Sequence, residues 1–291
     1  MPTAWFNDQL HTFETAFKNQ LEEIKAPSRL KEAILYSTLN GGKRLRALLT
    51  LASGELCDAN REILLKVAGA IECIHAYSLI HDDLPAMDDD EYRRGKLTCH
   101  KAFDEATAIL AGDALLTYSF EILSNIEELS AEKRLQIIQL YSKSAGTYGM
   151  VGGQYIDLDS EHKQISLTEL ETIHCKKTGA LIKAAILAGA IAGDTDEDTY
   201  DRLSVYADNI GLAFQIKDDI LDVIGTQEEL GKMPGSDQLQ DKSTYISLLG
   251  LTESIEKLEA LTTEAIELLT PLGERAAPLI DLAHYIQKRN H

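Results

Sequence analysis

Two clusters of carboxylates are the most distinctive chemical feature of the sequence. The first, in "LIHDDLPAMDDDEYRRG", contains Asp82, Asp83 and Asp88, and the second, in "FQIKDDILDVIG", contains Asp218, Asp219 and Asp222. Negative charges this close repel one another, and a helix C-terminus adds partial negative charge of its own. A cation removes both penalties, and carboxylate oxygens without soft ligands suit Mg²⁺, which also bridges to phosphate oxygens. The clusters therefore predict magnesium sites, although either cluster alone could be a solvated acidic face.

Positive charge is concentrated in two short segments, although the whole chain has a formal net charge of −19. The segment "NGGKRLR" contains Lys43, Arg44 and Arg46, and "YRRGK" contains Arg93, Arg94 and Lys96. Glycine lets an anion approach the backbone closely, and the arginine fork matches phosphate oxygens. "KKTG" (176–179) and "LGK" (230–232) are weaker candidates of the same kind. Together with the aspartates, these segments predict one anion held through Mg²⁺ and a second held directly by lysine and arginine.

Helices must position these clusters. Only six prolines occur, and none lies between residues 86 and 233, so helices are permitted through that tract. Apolar residues recur at helical spacing from Leu203 to Ile224, and capping boxes begin at Ser166 and Thr195. No alternating strand pattern and no linker divides the chain. The sequence predicts an all-α, single-domain bundle of roughly ten or more helices over residues 1–291.

Helical spacing also indicates which candidate side chains face one another. His75 lies seven residues before Asp82, so both lie on one face of a helix. Asp218 and Asp222 are four residues apart and share a face with Gln215. Pro85 is expected to end or bend the first helix and to place residues 88–90 in a turn.

Composition excludes several classes of function. The apolar content is 44% and the charged content 26%, which is typical of a soluble globular protein. The net charge disfavours binding to nucleic acid or to an anionic membrane surface. The four cysteines are scattered without a CxxC pair, which favours reduced thiols over a zinc site. The N-terminus lacks a signal-peptide pattern, and the longest apolar stretch, residues 184–193, is too short to span a bilayer, so we expect a cytoplasmic protein without a membrane partner.

The motifs together resemble those of the trans-isoprenyl diphosphate synthases. "DDLPAMD" is similar to the first aspartate-rich motif of that family, DDxxxxD, and "DDILD" to the second, DDxxD. "GGKRLR", "RRG", "KTG" and "GKMPGSDQLQDKSTY" match in order and spacing, from about residue 30 to the C-terminal "YIQKRN". The resemblance is strongest to the bacterial farnesyl-producing members. It implies the isoprenoid synthase fold, in which helices surround a central cavity, and it implies a homodimer.

The resemblance also implies a role for each candidate residue. Isopentenyl diphosphate would be bound by Lys43, Arg46, His75 and Arg94. Dimethylallyl or geranyl diphosphate would be held through Mg²⁺, with three ions when substrate is bound, on Asp82, Asp88 and Asp218, assisted by Arg93, Lys177 and Lys232. Asp83 and Asp222 would orient the metal shell, Asp219 belongs to the same catalytic set, and Thr178 and Gln215 would face the reacting carbons. The allylic C–O bond would ionise, the double bond of isopentenyl diphosphate would attack, and a proton would be lost to the released diphosphate.

Product length is expected to depend on Tyr77, five residues before Asp82. A large aromatic there, with the two-residue insertion "PA", resembles the members that make a C15 product, whereas a small residue would permit C20. The alternatives are therefore a geranylgeranyl diphosphate synthase, a terpene cyclase or an inactive regulatory subunit. A cyclase would have a second metal site of Asn/Ser/Glu type, and a regulatory subunit would have lost an aspartate motif or the arginines.

Overall fold

The structure, a computed structural model, describes residues 3–225 and 243–290. The first half of the chain forms α1 (Ala4–Glu22), α2 (Ser28–Thr38), α3 (Leu45–Leu56), α4 (Arg61–Asp82), α5 (Cys99–Ala102), α6 (Glu105–Ser124) and α7 (Ala131–Ala145). The second half forms α8 (Met150–Asp159), α9 (Leu167–His174), α10 (Ala180–Ala192), α11 (Glu197–Ile224), α12 (Tyr245–Leu249), α13 (Leu251–Leu269) and α14 (Ala277–Lys288). A π-helical turn (Cys175–Gly179) joins α9 to α10, and a 3₁₀ helix (Thr270–Ala276) joins α13 to α14. The prediction of an all-α fold is confirmed.

The extended structure within the described ranges is one short hairpin between α4 and α5. Its strands β1 (Tyr92–Arg93) and β2 (Lys96–Leu97) pair antiparallel. The turn between them requires a positive φ at Arg94 and Gly95. Tyr36 donates a 2.7 Å hydrogen bond from its hydroxyl to the carbonyl of Leu97, which ties the hairpin to α2. The hairpin is too short to predict from alternation, and it carries two of the candidate arginines.

The core consists of three hydrophobic clusters. The largest surrounds α4, which packs against α1, α3, α6 and α10. The second joins α3 and α10 to α11, α13 and α14. The third is smaller and joins α9, α11, α12 and α13. Since α4 and α11 carry the aspartate motifs at their C-terminal ends and lie in these clusters, burial of their apolar faces fixes the position of both motifs.

Two helices, α4 and α6, are long and apolar enough to cross a membrane by length and composition alone. For α4 the core explains the composition, because 72% of its most apolar window is buried. For α6 only 39% is buried, and Ile109 and Leu110 are 42% and 56% exposed. Core burial therefore does not account for the apolar composition of α6. Residues 184–193 remain the longest uninterrupted apolar stretch, because charged residues interrupt both α4 and α6.

Capping boxes are predicted at the starts of two helices, α9 and α11. The capping box at Ser166 is present, with the Glu169 carboxylate accepting from the Ser166 amide. The box predicted at Thr195 is wrong, because α11 is capped one residue later by Asp196, whose charged carboxylate accepts from Thr199 N–H. Ile224, the last residue of α11 and of its apolar pattern, is exposed. Most of the "GKMPGSDQLQDKSTY" motif lies outside the described residues, because the structure describes none of residues 226–242.

Candidate active site

The two aspartate motifs face each other across one cavity of about 940 Å³. Its acidic lining consists of Glu72, Asp82, Asp88, Asp218, Asp219 and Asp222. Its basic lining consists of Lys43, Arg44, Arg46, Arg93, Arg94, Lys177 and Arg289. Two other grooves, between α7 and α10 and between α1 and α6, have similar volumes of about 900 and 1030 Å³. Neither of them is lined by residues of the motifs, so we assign the site by its chemistry and not by its size.

The first aspartate motif turns back on itself directly after α4. The amide of Asp88 donates to the carbonyl of Asp82 over 2.9 Å, and the amide of Asp89 donates to Leu84 over 3.1 Å. Asp89 adopts a positive φ of 51°, which aspartate tolerates better than most residues. The turn brings Asp88 beside Asp82, although they are six residues apart. The prediction that the helix ends before Pro85 and that Asp88 lies in a turn is confirmed.

Asp83 does not share this environment. It is 3% exposed and accepts hydrogen bonds from Arg93, at 2.8 Å from Nε and 2.6 Å from Nη2 to Oδ1. Burial raises the pKa of the Asp83 carboxyl, and the hydrogen bonds from Arg93 oppose that shift. This bidentate pair fastens the hairpin to the end of α4. The Asp83 carboxylate is therefore committed to Arg93 and does not line the cavity.

The second motif lies in the last two turns of α11. Asp218 forms an ion pair with Arg289, with Nη2 2.6 Å from Oδ1. Asp219 is 4% exposed and accepts a 2.8 Å hydrogen bond from the amide of Tyr245. Asp222 is buried and lines the same cavity. The face shared by Asp218 and Asp222, predicted from their spacing, is confirmed.

Negative charge at the first motif is only partly compensated. Burial raises the pKa of Asp82 to about 6; Lys177 lowers it and Asp88 raises it further. Lys177 donates a 2.7 Å hydrogen bond to Asp157 on α8. Burial alone would lower the pKa of Lys177, but Asp157, Asp82 and Asp88 together raise it. Lys177 is therefore a permanent cation facing the first motif.

The glycine-rich segment before α3 forms the basic wall. Gly42 has a φ of 120°, and a Cβ there would lie 2.6 Å from Nη1 of Arg94, so only glycine allows this approach. Arg94 also donates to the carbonyl of Gly41. Burial, with Arg289 and Arg94 nearby, lowers the pKa of Lys43 to about 8. The segment thus gathers more positive charge than its surroundings neutralise, which suits it to an anion.

His75 lies on the cavity wall two turns before Asp82, as predicted. Burial lowers its pKa well below the ordinary value, and Arg46 and Arg94 add to the shift. The imidazole is therefore neutral at physiological pH. A neutral imidazole can donate one hydrogen bond to an anion but adds no charge.

Of the remaining candidate residues that the structure describes, only one lines the cavity. Thr178, in the π-helical turn, donates a 2.9 Å hydrogen bond to Oε1 of Gln215, and only Gln215 lines the cavity. Tyr77 does not line the cavity and packs against the largest core cluster. Lys232 lies outside the described residues.

Three residues of the site are missing from the sequence predictions. Glu72, buried in α4, forms an ion pair with Arg44 at 3.4 Å and accepts from the amide of Ala47 at 3.2 Å, which holds the basic segment in place. Asp157 anchors Lys177, and Arg289 pairs with Asp218. A usable signal existed for Glu72, because a lone glutamate in the apolar run "VAGAIECIHA" needs a partner.

The aspartates fit magnesium in one particular mode. Among the described residues, no three His, Cys, Asp or Glu side chains are close enough to hold a metal ion by themselves. Mg²⁺ is usually bound by one or two carboxylates, with water and substrate phosphate oxygens completing the octahedron. Both aspartate motifs offer only oxygen donors, and the pKa of Asp82 is raised. These two features fit an ion that binds together with a diphosphate.

Comparisons with known proteins agree with this geometry. The chain matches the family described as Polyprenyl synthetase over residues 27–270. It is 45% identical to the farnesyl diphosphate synthase of Bacillus subtilis (strain 168) over 291 residues, which cover 99% of this chain and 98% of that protein. Its structure is similar to that of an FPP/GFPP synthase from Zymomonas mobilis, with a TM-score of 0.87, 41% identity, and coverage of 97% and 98% of the two chains.

A second solved structure bears on the site itself. A geranyltransferase from Helicobacter pylori, complexed with magnesium and isoprenyl diphosphate, has a TM-score of 0.85 and 35% identity, over 97% of this chain and 95% of that chain. The shared sequence extends over nearly the whole length, and both aspartate motifs line the cavity. The chain belongs to the polyprenyl synthetase family.

Proposed function

We propose that this chain is a farnesyl diphosphate synthase, a prenyltransferase that condenses isopentenyl diphosphate with dimethylallyl and then geranyl diphosphate and releases diphosphate. The observation that carries the proposal is the opposition of two aspartate motifs across a cavity with a basic wall. A terpene cyclase is disfavoured because both motifs are rich in aspartate. A regulatory subunit is disfavoured because no motif or arginine is missing.

The allylic diphosphate belongs between the aspartates. Asp82, Asp88 and Asp218 would hold Mg²⁺, three ions with substrate bound, and the metal supplies the positive charge that makes diphosphate a good leaving group. Lys177 adds a cation fixed by Asp157. Asp83 and Asp222 support the positions of these groups, Asp219 ties α11 to α12, and Arg93 stabilises the hairpin through Asp83. Lys232 is proposed to contact the same diphosphate.

Isopentenyl diphosphate belongs against the basic wall. Lys43, Arg46 and Arg94 offer charge, and neutral His75 offers a hydrogen bond. This arrangement would hold the two substrates side by side, which would convert a bimolecular reaction into an effectively intramolecular one.

The bond-forming step needs little further chemistry from the protein. Ionisation of the allylic C–O bond gives a carbocation, which survives only where water is excluded. The amide oxygen of Gln215, which lines the cavity and is held by a hydrogen bond from the Thr178 hydroxyl, offers a dipole that would stabilise positive charge. The double bond of isopentenyl diphosphate attacks C1 of the cation, and the proton then lost goes to the released diphosphate. No protein base is required.

Tyr77 supports a C15 product over a C20 product. It precedes Asp82 by five residues on α4, a rise of about 7.5 Å along the helix. An allylic chain that is bound by its diphosphate at Asp82 and extends towards the start of α4 meets the tyrosine ring. Tyr77 packs against the largest core cluster and is not among the residues that line the cavity, and its ring is proposed to end the path of the chain there.

We propose that the chain, a single domain, acts as a homodimer in the cytoplasm. The apolar face of α6 exposes Ile109 and Leu110, and Leu135 on α7 and Tyr148 before α8 are also exposed. Exposed apolar groups on this scale are typical of a subunit interface. Sedimentation at micromolar concentration should give twice the chain mass of 32.1 kDa. The variant Leu110→Glu should shift the equilibrium towards the monomer.

A product assay tests the proposed activity. Purified protein is incubated with radiolabelled isopentenyl diphosphate, with dimethylallyl or geranyl diphosphate, and with Mg²⁺, in the presence and absence of chelator. The dephosphorylated products are separated by chain length. A chelator-sensitive C15 product supports the proposal. A C20 product would retain the metal chemistry and refute the role of Tyr77, and the absence of product would favour the regulatory subunit.

A further inference from the structure

His81 lies between the first aspartate motif and the tyrosine assigned to product length. It is one helical turn after Tyr77 on α4, and the two rings meet edge to face, with centroids 4.9 Å apart and planes at 75°. This geometry is favourable for an aromatic pair, because the positive edge of one ring meets the negative face of the other. His81 precedes Asp82 directly, yet the cavity lining does not include its side chain. Nothing in the proposed chemistry uses this imidazole.

Helix α6 holds the histidine ring from the other side. Nε2 of His81 lies 3.1 Å from the carbonyl oxygen of Ile109 and 3.9 Å from the Asp113 carboxylate. A carbonyl can only accept a hydrogen bond, so Nε2 carries the proton and donates it. The hydrogen bond fixes both the position and the plane of the ring. His81 is therefore a link between α6 and the ring of Tyr77.

Gly112 provides the space in which the histidine ring sits. A Cβ at this position would lie 2.3 Å from Nε2 and 2.5 Å from Cδ2 of His81. Real atoms do not approach so closely, so any side chain at Gly112 would displace the imidazole. The helical φ of this glycine needs no special freedom, which leaves close approach as its role.

A residue that ends a growing apolar chain must resist being pushed aside. The tyrosine ring can rotate about two side-chain bonds, and the rotamers of a half-buried ring differ little in energy unless neighbours select one. Burial, with Asp82 and Asp113 nearby, raises the pKa of Tyr77, so its phenol is neutral. The neighbour that restricts the ring towards α6 is His81.

We propose that His81, seated against Gly112, is a positioning residue for product length, because it braces Tyr77 across the path of the growing chain. The inference rests on the proposed function and adds a specificity element to the same site. His81 acts through Tyr77 and touches no reacting atom.

The test is the variant His81→Ala in the full chain, assayed with isopentenyl and geranyl diphosphates and Mg²⁺. The readout is the ratio of C20 to C15 product. Loss of an aromatic edge contact corresponds to a rise in this ratio on the order of 3- to 10-fold. An unchanged ratio would overturn the inference. A merely structural role would lower total turnover without moving the ratio, and His11→Ala, which removes an exposed histidine on α1, is the matched control.

A double-mutant cycle separates bracing from an independent effect. In the Tyr77→Ala background the product should already be longer, and adding His81→Ala should leave the ratio of C20 to C15 product unchanged within twofold. The same fold-change in both backgrounds would contradict the bracing role. Formation of any prenyl diphosphate by the unaltered protein reports on the proposed function, so the two hypotheses fail separately.

The variant Gly112→Ala disturbs the contact between His81 and Tyr77 from the side of α6. It provides a second test if His81→Ala does not fold. The added Cβ displaces the imidazole without removing it, so the C20 to C15 ratio should rise in the same direction. Thermal unfolding followed by circular dichroism identifies any variant that has lost its fold. A folded Gly112→Ala protein with an unchanged ratio would overturn the inference as well.

Discussion

The two Asp-Asp pairs are identical in sequence, yet the structure holds them by different means. In each pair the first carboxylate, Asp82 or Asp218, lines the cavity and the second, Asp83 or Asp219, is buried, although Asp219 also contributes to the lining. Asp83 is tied to a guanidinium on the hairpin, and Asp219 is tied to the backbone amide of Tyr245. Adjacent residues on a helix point about 100° apart, so the first can face the cavity while its neighbour anchors a second element. Each pair thus combines a binding role with a structural one.

The first members of the pairs also differ in their cationic partners. Asp82 faces Lys177, which is itself committed to Asp157, so Asp82 retains uncompensated charge and a raised pKa. Asp218 is paired directly with Arg289, close to the C-terminus. The first aspartate motif can therefore attract a cation from solution. At the second motif, a metal ion would have to replace Arg289 as the partner of Asp218.

The largest effect is expected from removing the first member of either pair. Asp82→Ala and Asp218→Ala should each lower turnover by about 10²- to 10³-fold or more, because each removes charge that is needed when the diphosphate leaves. Helix content, measured by circular dichroism, should stay unchanged. Asp201→Ala, which alters an exposed aspartate on the same helix as Asp218, is the control. Near-normal activity in either variant would refute the metal assignment.

Substitution of the second aspartate of each pair should lower the free energy of unfolding by different amounts. Asp83→Ala leaves the Arg93 guanidinium without its bidentate partner, which we expect to cost about 2–3 kcal/mol, less than for a fully buried pair because Arg93 is partly exposed. Asp219→Asn keeps an oxygen that accepts from the Tyr245 amide, so it should cost about 1 kcal/mol. Urea unfolding of both variants measures the difference. Equal losses would mean that the two anchors are equivalent.

Sequence reasoning succeeded where one helix supplies the geometry. The shared face of Asp218 and Asp222 and the turn after Asp82 follow from helical spacing and from Pro85. Helical spacing could not separate Asp82 from Asp83, which only the family resemblance distinguished, because which of two adjacent aspartates is buried depends on the hairpin ten residues later. Partners distant in sequence, such as Asp157 for Lys177, are likewise invisible to local patterns. The overall bundle was predictable because burial imposes a periodicity, whereas ion pairs impose none.

Use of isopentenyl diphosphate, which we place against the basic wall, should depend on the charge of Lys43 and therefore on pH. The pKa of Lys43 is lowered to about 8, so its charge is lost as the pH rises through that value. The value of kcat/KM for isopentenyl diphosphate, which reports the free enzyme, should therefore fall several-fold between pH 7.5 and about 9. Lys43→Arg keeps its charge over this range and should flatten the profile. A wild-type profile that stays flat would contradict this account of the wall.

The smallest effect is expected from Arg289, and it tests the exchange of cations at the second aspartate motif. Arg289 donates to Asp218, stacks on Phe214 at 4.2 Å, and bonds to the Phe214 carbonyl at 3.0 Å. Because its guanidinium occupies the carboxylate that Mg²⁺ needs, Arg289→Ala should lower the Mg²⁺ concentration for half-maximal diphosphate binding by about 2- to 5-fold, the range of a partly exposed ion pair. Calorimetric titration with inorganic diphosphate measures this, with Lys288→Ala as the exposed neighbour control. An unchanged or higher Mg²⁺ requirement would mean that the two aspartate motifs bind metal alike, despite their different cationic partners.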